Sequence, residues 1–397
     1  MKNRKMYLPN YYDGSIVNLM SSIALASGAK RDKTSILPLK NLPVEKLREA
    51  KNIILLVIDG LGYEYLRKKG KKTILNDYMI SSMTSVFPAT TAAAVTSYLT
   101  GSYPGEHANT GWYVYLKQLG TVVCLLPFVT RIRGVPLNIF GIKISDVIKE
   151  KAFSSKLKVK NYIIQPEELA YSDYSRLMSK NSKIIGYKSL NGLFNSIKKS
   201  INSNNNKKYI YAYWPEVDRL NHFFGVNSRE SEKHFRELDL KLRKFIKYIE
   251  KTNSILVISS DHGFVNTPKE KIIKLENHPK LQGCLYAPLS GEPRVVYCYV
   301  YPKKKLEFEK YIKTKFKKYC WSFKSRELVK KNFFGYGKLS PDLYDRIGDY
   351  TLIMKDNYIF KDRVLGEEVK RVKKGYHGGV SKDEMLIPLV VVEGKKQ

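Results

Sequence analysis

The sequence contains few cysteines and no long apolar segment. Its four cysteines, in 397 residues, form no CxxC pair and have no regular spacing, which excludes a zinc ribbon and a disulfide scaffold. No run approaches the roughly 18 apolar residues of a transmembrane helix. The N-terminal segment lacks the apolar core and cleavage site of a secretory signal peptide. These absences predict a soluble, cytoplasmic protein without a membrane span.

Acidic residues are also scarce relative to basic ones. The chain has 37 Asp and Glu against 70 Lys and Arg, a formal net charge of +33. Such a charge attracts anions, which predicts an anionic ligand and admits nucleic acid as a partner. The lysines are spread over the whole chain, however, so a general bias in composition explains the excess equally well. The net charge therefore indicates the sign of the ligand's charge and little about the chemical class of the ligand.

Three apolar runs that predict buried parallel strands lead into acidic and histidine residues. The run at 52–58 (NIILLVI) precedes Asp59, 209–214 (YIYAYW) precedes Asp218 and His222, and 254–258 (SILVI) precedes Asp261 and His262. His377 lies in a glycine-flanked loop ahead of a last apolar run, MLIPLVVVEG. We expect these side chains to meet at the carboxyl edge of one sheet. Taken singly, each also has an ordinary interpretation, such as turn chemistry for Asp-Gly.

The stretch from Thr84 to Gly101, TSVFPATTAAAVTSYLTG, predicts a strand, a tight turn and a helix. Thr90 and Thr91 fall at the N-terminus of this helix, where unpaired amides and the helix dipole favour a phosphate group. A threonine pair at this place also suits simple helix capping. The stretch alone leaves both interpretations open.

Histidine is rare in the chain, and half of its occurrences lie in these loops. Of only six histidines, three follow or precede the predicted strands. His107 lies in a loop rich in glycine, proline and asparagine and is predicted to be structural. With three aspartates they form the inventory of two three-coordinate metal sites, to which a threonine adds a shared oxygen. Aspartate oxygen and histidine nitrogen suit zinc or manganese.

Six motifs occur in a fixed order along the chain: VIDG, FPATTAAAVTSYLTG, YPGEH, PEVDRLNH, SSDHG and YHGG. As a set they resemble the alkaline phosphatase superfamily, and within it the type I phosphodiesterase/nucleotide pyrophosphatase family. The resemblance extends from about residue 53 to the C-terminus. It implies an α/β fold with a central, mostly parallel sheet, helices on both faces and an inserted cap region.

The domain organisation follows from this resemblance and from the length. We predict a single alkaline-phosphatase-like catalytic domain over residues 1–397, with an N-terminal arm at 1–45 and a cap insertion for the substrate at 113–207. Arg131 and Arg133 in the cap are candidates for phosphate binding, with solvated arginines as the alternative.

The resemblance also implies a site with two divalent metal ions, zinc or alternatively manganese. One ion would be bound by Asp218, His222 and His377. The other would be bound by Asp59, Asp261 and His262, with the oxygen of Thr91.

The nucleophile implied by the resemblance is Thr91 rather than Thr90. Family members place it nine residues before the threonine that precedes a glycine, here Thr100. The implied activity is hydrolysis of phosphodiester or pyrophosphate bonds in nucleotide-like substrates, through a phosphothreonine intermediate.

Two positions depart from the family's pattern and leave the substrate open. Ala92 follows the implied nucleophile, where nucleotide pyrophosphatases have Phe-Pro-Asn, whose aromatic ring stacks on the nucleobase. Trp112 aligns with an asparagine that binds a phosphate oxygen in the family, while Asn109 lies nearby but out of frame. The alternatives are a phosphomonoesterase or phosphonate hydrolase with the same site, and an inactive relative that binds nucleic acid.

Overall fold

The computed structural model describes residues 5–31, 35–366 and 372–395. Its strands are β1 Asn52–Ile58, β2 Met79–Thr84, β3 Tyr113–Leu116, β4 Thr121–Cys124, β5 Val129–Thr130, β6 Lys160–Pro166, β7 Lys183–Tyr187, β8 Lys208–Trp214, β9 Ser254–Ser259, β10 Val265–Asn266, β11 Ile272–Lys274, β12 Ser290–Glu292, β13 Val295–Cys298, β14 Cys320–Lys324, β15 Tyr350–Met354, β16 Ile359–Lys361, β17 Gly375–Tyr376 and β18 Leu386–Glu393.

Its α-helices are α1 Ile16–Ala26, α2 Val44–Glu49, α3 Tyr63–Lys69, α4 Ile74–Asp77, α5 Thr91–Thr100, α6 Pro104–His107, α7 Ile144–Val147, α8 Glu167–Ala170, α9 Asp173–Met178, α10 Leu190–Ile201, α11 Glu216–Phe224, α12 Arg229–Ile249, α13 Pro279–Gln282, α14 Lys305–Tyr311, α15 Ser325–Lys330, α16 Leu343–Ile347 and α17 Lys382–Met385. Among the described residues, none of these helices combines the length and apolar character needed to cross a bilayer.

Seven strands form the central sheet, in the order β2-β18-β9-β1-β8-β6-β7. The five strands from β9 to β7 in this order are parallel, and β18 runs antiparallel to both of its neighbours. This arrangement confirms the predicted, mostly parallel sheet. The strand predicted at 52–58 is observed over the same residues, at the centre of the sheet.

Helices cover both faces of this sheet. The central strand β1 is apolar at every position but its first, and all seven of its residues are buried, so both faces have to be shielded from water. Successive side chains of a strand point to opposite faces. The odd-numbered apolar residues of β1 pack with α1 and α5, and the even-numbered ones pack with α10 and α12. Two hydrophobic cores therefore hold the sheet, one on each face.

A second sheet of seven antiparallel strands has the order β14-β15-β13-β12-β3-β4-β5. The segment predicted as a cap, 113–207, is divided between the two sheets. Its first three strands join the second sheet, whereas β6 and β7 extend the central sheet beside β8. β6 belongs to the core rather than to a cap because it is buried at all but its first residue and pairs with a strand on each side, β7 and β8.

The predicted N-terminal arm, 1–45, contains a helix that packs into the central core. One face of this helix, α1, is fully buried at Ile16, Leu19, Met20 and Ile23. These side chains belong to the same hydrophobic core as α5. The four cysteines are all buried and free, as the absence of a disulfide pattern predicted.

Candidate active site

Adjacent strands of the central sheet bring the acidic side chains together. Asp59 follows β1, Asp261 follows β9 and Asp218 lies in α11 after β8; β1 is the middle strand of these three. The ligand atoms of Asp59, Asp261 and His262 lie within 4.8 Å of one another. Those of Asp218, His262 and His377 lie equally close. The loops at one edge of the sheet therefore converge, as the strand pattern predicted.

His222 completes this cluster from α11. Its Nε2 lies 3.1 Å from Nε2 of His377 and 3.5 Å from Oδ1 of Asp218, four residues earlier on the same helix. Its Nδ1 lies 2.8 Å from the carbonyl oxygen of Gly375. Because a carbonyl oxygen can only accept, Nδ1 carries the proton and Nε2 presents its lone pair to the cluster.

The two threonines of the central motif point to different partners. Thr91 is the first residue of α5, and its Oγ1 lies 3.1 Å from Nε2 of His262 and 3.5 Å from Oδ2 of Asp59. Thr90 precedes the helix, is 1% exposed and donates its hydroxyl to Oε1 of Glu292 at 2.6 Å. Its side chain makes no capping hydrogen bond to the helix, contrary to the capping interpretation. Only Thr91 therefore faces the cluster of acids and histidines.

Three buried carboxylate oxygens in the cluster have no hydrogen-bond partner among the described residues: Oδ1 of Asp59, Oδ1 of Asp218 and Oδ2 of Asp261. Unpaired buried charges of one sign are costly unless a cation compensates them. Burial, reinforced by the charges of Asp261 and Asp218, raises the pKa of Asp59 well above its ordinary value. The donor set therefore fits divalent metal ions, which would relieve this repulsion.

Two histidines of the cluster, His222 and His377, are in the protonation state that a metal requires. Burial lowers the pKa of His222 to about 4. Burial, together with the charges of His262 and His222, lowers the pKa of His377 well below its ordinary value. Neutral imidazoles offer a lone pair, whereas protonated ones do not.

Close packing of two loops sets the position of Asp261 and His262. A Cβ atom on Gly263 would lie 1.9 Å from the carbonyl oxygen of Asp383, so only glycine fits there. Oγ of Ser260 accepts a hydrogen bond from the amide of Leu61 at 2.9 Å, which joins this loop to the one after β1. Gly263 thus permits the close approach of the two loops.

Two supporting residues were not predicted from the sequence. The hydroxyl of Tyr213 donates to Oδ2 of Asp59 and orients that carboxylate. The ring of Phe264 lies between 4.9 and 5.5 Å from the rings of the three site histidines. The available signals were weak: a tyrosine near the end of a buried strand, and an aromatic residue two positions after His262.

Asn109 and His107 lie near Trp112, where the sequence departs from the family's pattern, and both make polar contacts within the protein. Nδ2 of Asn109 donates to the carbonyl oxygen of Ala92 and to Oγ1 of Thr96, both at 2.9 Å, so its amide group is held by α5. His107 is buried and lies 3.1 Å from Oγ of Ser97. Burial, with the charge of a nearby arginine, lowers its pKa to about 3. These contacts agree with the structural role predicted for His107.

Arg131 is held in place by an ion pair. Its guanidinium lies 2.6 Å from Oδ1 of Asp362 and over the ring of Tyr113, and its side chain is 5% exposed. These contacts favour a structural role over phosphate binding.

Residues 53–379 match the model of the type I phosphodiesterase/nucleotide pyrophosphatase family. No curated protein sequence matches the chain. Murine ectonucleotide pyrophosphatase/phosphodiesterase 5, solved as an inactive variant with AMP, is 15% identical, with a TM-score of 0.64 over 85% of this chain and 87% of that one.

A second similar structure is phosphonoacetate hydrolase from Sinorhizobium meliloti 1021 in complex with phosphonoformate. It is 14% identical, with a TM-score of 0.63 over 88% of this chain and 92% of that one. At such identities the two structures show a shared fold. The family model, in contrast, covers most of the chain, including all the motifs that meet in the site. The chain thus belongs to the type I phosphodiesterase/nucleotide pyrophosphatase family, within the alkaline phosphatase superfamily.

Proposed function

We propose that the protein is a metal-dependent hydrolase of phosphodiester or pyrophosphate bonds in nucleotide-like substrates, with Thr91 as its nucleophile. The observation that carries this proposal is the position of the Thr91 hydroxyl. It lies at the N-terminus of a ten-residue helix, 3.1 Å from His262 and 3.5 Å from Asp59. Membership of the family supports hydrolysis by phosphoryl transfer.

The metal ligands proposed are those that the family resemblance implies. One ion would be held by Asp218, His222 and His377, and the other by Asp59, Asp261, His262 and Thr91. When bound, two divalent ions supply positive charge that lowers the pKa of the threonine hydroxyl and balances charge on the phosphoryl group.

Thr91 then attacks the substrate, and the first amides of α5 bind its phosphoryl oxygens. Oγ1 of Thr91, once deprotonated, attacks phosphorus in line with the leaving group. As the phosphothreonine forms, the bond between phosphorus and the leaving oxygen breaks, and that oxygen takes up a proton from solvent. The first amides of α5 donate to the phosphoryl oxygens as the negative charge on them develops. Water then attacks the phosphothreonine in a second in-line step, which releases the product and restores the hydroxyl.

The direct test compares a diester with a monoester. We expect purified protein with Zn²⁺ or Mn²⁺ to hydrolyse bis-p-nitrophenyl phosphate with a higher kcat/KM than p-nitrophenyl phosphate. The reason is that a type I phosphodiesterase acts on phosphodiesters, in which the phosphorus carries two ester bonds. Protein treated with a chelator provides the control. A preference for the monoester would contradict the proposal and favour a phosphomonoesterase.

The second candidate is a phosphomonoesterase or phosphonate hydrolase with the same residues. The fold similarity to phosphonoacetate hydrolase is the observation that favours it. Release of phosphate from phosphonoacetate, in the same assay, would distinguish this activity. Binding of nucleic acid, which the net charge admits, has no support among the comparisons.

Metal binding should also stabilise the protein. Addition of Zn²⁺ or Mn²⁺ at about 100 times its dissociation constant should raise the free energy of unfolding by about 2.7 kcal/mol for each ion bound. Thermal unfolding with and without chelator measures this change. Asp261→Asn should remove most of the stabilisation, because it removes one negative charge from the cluster. Asp345→Asn, at an exposed ion pair with Lys117, is the matched control and should leave it intact. Equal stabilisation of both variants would contradict the ligand assignment.

A further inference from the structure

A buried carboxylate outside the metal cluster lies against the loop that carries the nucleophile. Glu292 is the last residue of β12 in the second sheet and is 8% exposed. Its Oε1 accepts hydrogen bonds from Oγ1 of Thr90 at 2.6 Å and from the amide of Trp112 at 2.7 Å. Thr90 immediately precedes Thr91, so one peptide unit separates this contact from the nucleophile.

The side chain of Glu292 also lies against the loop that carries His377. Gly378 has a φ of +110°, and a Cβ atom there would lie 2.9 Å from Cβ of Glu292. Gly378 also forms an antiparallel bridge with Ala89, two residues before Thr91. Glu292 is therefore enclosed by the loops that bear the nucleophile and a metal ligand.

Opposing influences act on the charge of Glu292. Two donors converge on one of its oxygens, an arrangement that stabilises the ionised carboxylate. Burial nevertheless raises the pKa of Glu292 above its ordinary value, and these hydrogen bonds and the positive charge of Lys373 offset this only in part. The carboxylate thus contacts the residue before Thr91, through a donor that stabilises its ionised form.

We propose that Glu292 selects substrates by charge, so that the site prefers singly charged phosphodiesters to doubly charged phosphomonoesters. This inference rests on the proposed function and specifies its substrate class. A phosphomonoester carries about −1.5 to −2 charges at neutral pH, whereas a diester carries one. A fixed negative charge repels the more highly charged ester more strongly, which is selection against an unwanted ligand.

The test removes the charge of Glu292 and keeps the shape of its side chain. Glu292→Gln retains a carbonyl oxygen that can accept from Thr90 and from the amide of Trp112. The readout is the ratio of kcat/KM for p-nitrophenyl phosphate to that for bis-p-nitrophenyl phosphate, measured with metal at mildly alkaline pH. We expect this ratio to rise about tenfold in Glu292→Gln, since one unit of repulsion is removed. Glu292→Asp retains the charge and should keep the ratio close to that of the unchanged protein.

The outcomes separate this inference from the proposed function. An equal change in both rates in Glu292→Gln would show a purely structural role and overturn the inference. Glu292→Ala provides a second neutral variant if the glutamine variant fails to fold, and the same rise in the ratio is expected. If the unchanged protein, loaded with metal, hydrolyses neither ester, the proposed function is overturned and the inference with it.

Discussion

Replacement of Thr91 by alanine should lower kcat for the diester by at least about a thousandfold, as expected for loss of a covalent nucleophile. The hydroxyl lies 3.1 Å from Nε2 of His262 at the N-terminus of α5, where the alanine variant has no atom that can attack phosphorus. Alanine is also a good helix former, so the variant should fold. Steady-state hydrolysis of bis-p-nitrophenyl phosphate measures the loss.

Thr90→Ala is the matched control for this prediction. Its hydroxyl donates to Glu292 rather than to the cluster, so its loss should lower the rate far less than the loss of Thr91. Thr91→Ser retains a hydroxyl and should retain measurable activity. Acid quenching followed by mass spectrometry should detect a phosphorylated peptide that contains Thr91. Loss of activity in Thr90→Ala with full activity in Thr91→Ala would show that the nucleophile has been assigned to the wrong threonine.

Much of the central sheet could be predicted from local sequence. A parallel strand buried on both faces is a continuous apolar run, which β1 displays without interruption after its first residue. Polar residues that follow such strands have to lie at one edge, so the convergence of Asp59, Asp261 and His262 needed no knowledge of distant contacts. The helix at Thr91 could likewise be predicted from a turn followed by small, helix-forming residues.

The second sheet could not be predicted in the same way. It pairs β3 with β12, two short strands far apart in the chain, and short strands carry a weak local signal. The contact between Thr90 and Glu292 depends on this long-range pairing. The orientation of Asp59 by Tyr213 depends on the order of β1 and β8 in the central sheet. Partners of this kind are determined by tertiary structure, not by spacing along the chain.

A buried ion pair behind the loop of His377 should be a main determinant of stability. Arg294 and Glu384 are 1% and 0% exposed, and their side chains form two hydrogen bonds, of 2.9 and 2.7 Å. Glu384 also accepts from the amide of Gly379 at 2.8 Å, two residues after His377. Arg294→Met should lower the free energy of unfolding by about 3–5 kcal/mol, because it leaves the carboxylate buried without its counter-ion. Urea unfolding measures the change.

The exposed ion pair of Lys304 and Glu307 provides the control, since its atoms lie 2.7 Å apart and both side chains are 47% exposed. Lys304→Met should leave the free energy of unfolding nearly unchanged, because exposed ion pairs contribute little. Replacement of both buried residues, in Arg294→Met with Glu384→Leu, should cost less than the sum of the single replacements. A cost for Arg294→Met no larger than that for Lys304→Met would contradict the role of the buried pair.

The buried pair also predicts a dependence of stability on pH. Burial alone would raise the pKa of Glu384, but the charge and hydrogen bonds of Arg294 hold it below its ordinary value of 4.5. A pKa that is lower in the folded protein than in the unfolded one makes stability rise with pH. The contribution is therefore complete above the unfolded value and is lost as the pH falls through the folded value. Glu384→Gln should remove this part of the acid dependence, and urea unfolding at a series of acidic pH values would measure it. An acid limb identical to that of the unchanged protein would show that Glu384 is not the group responsible.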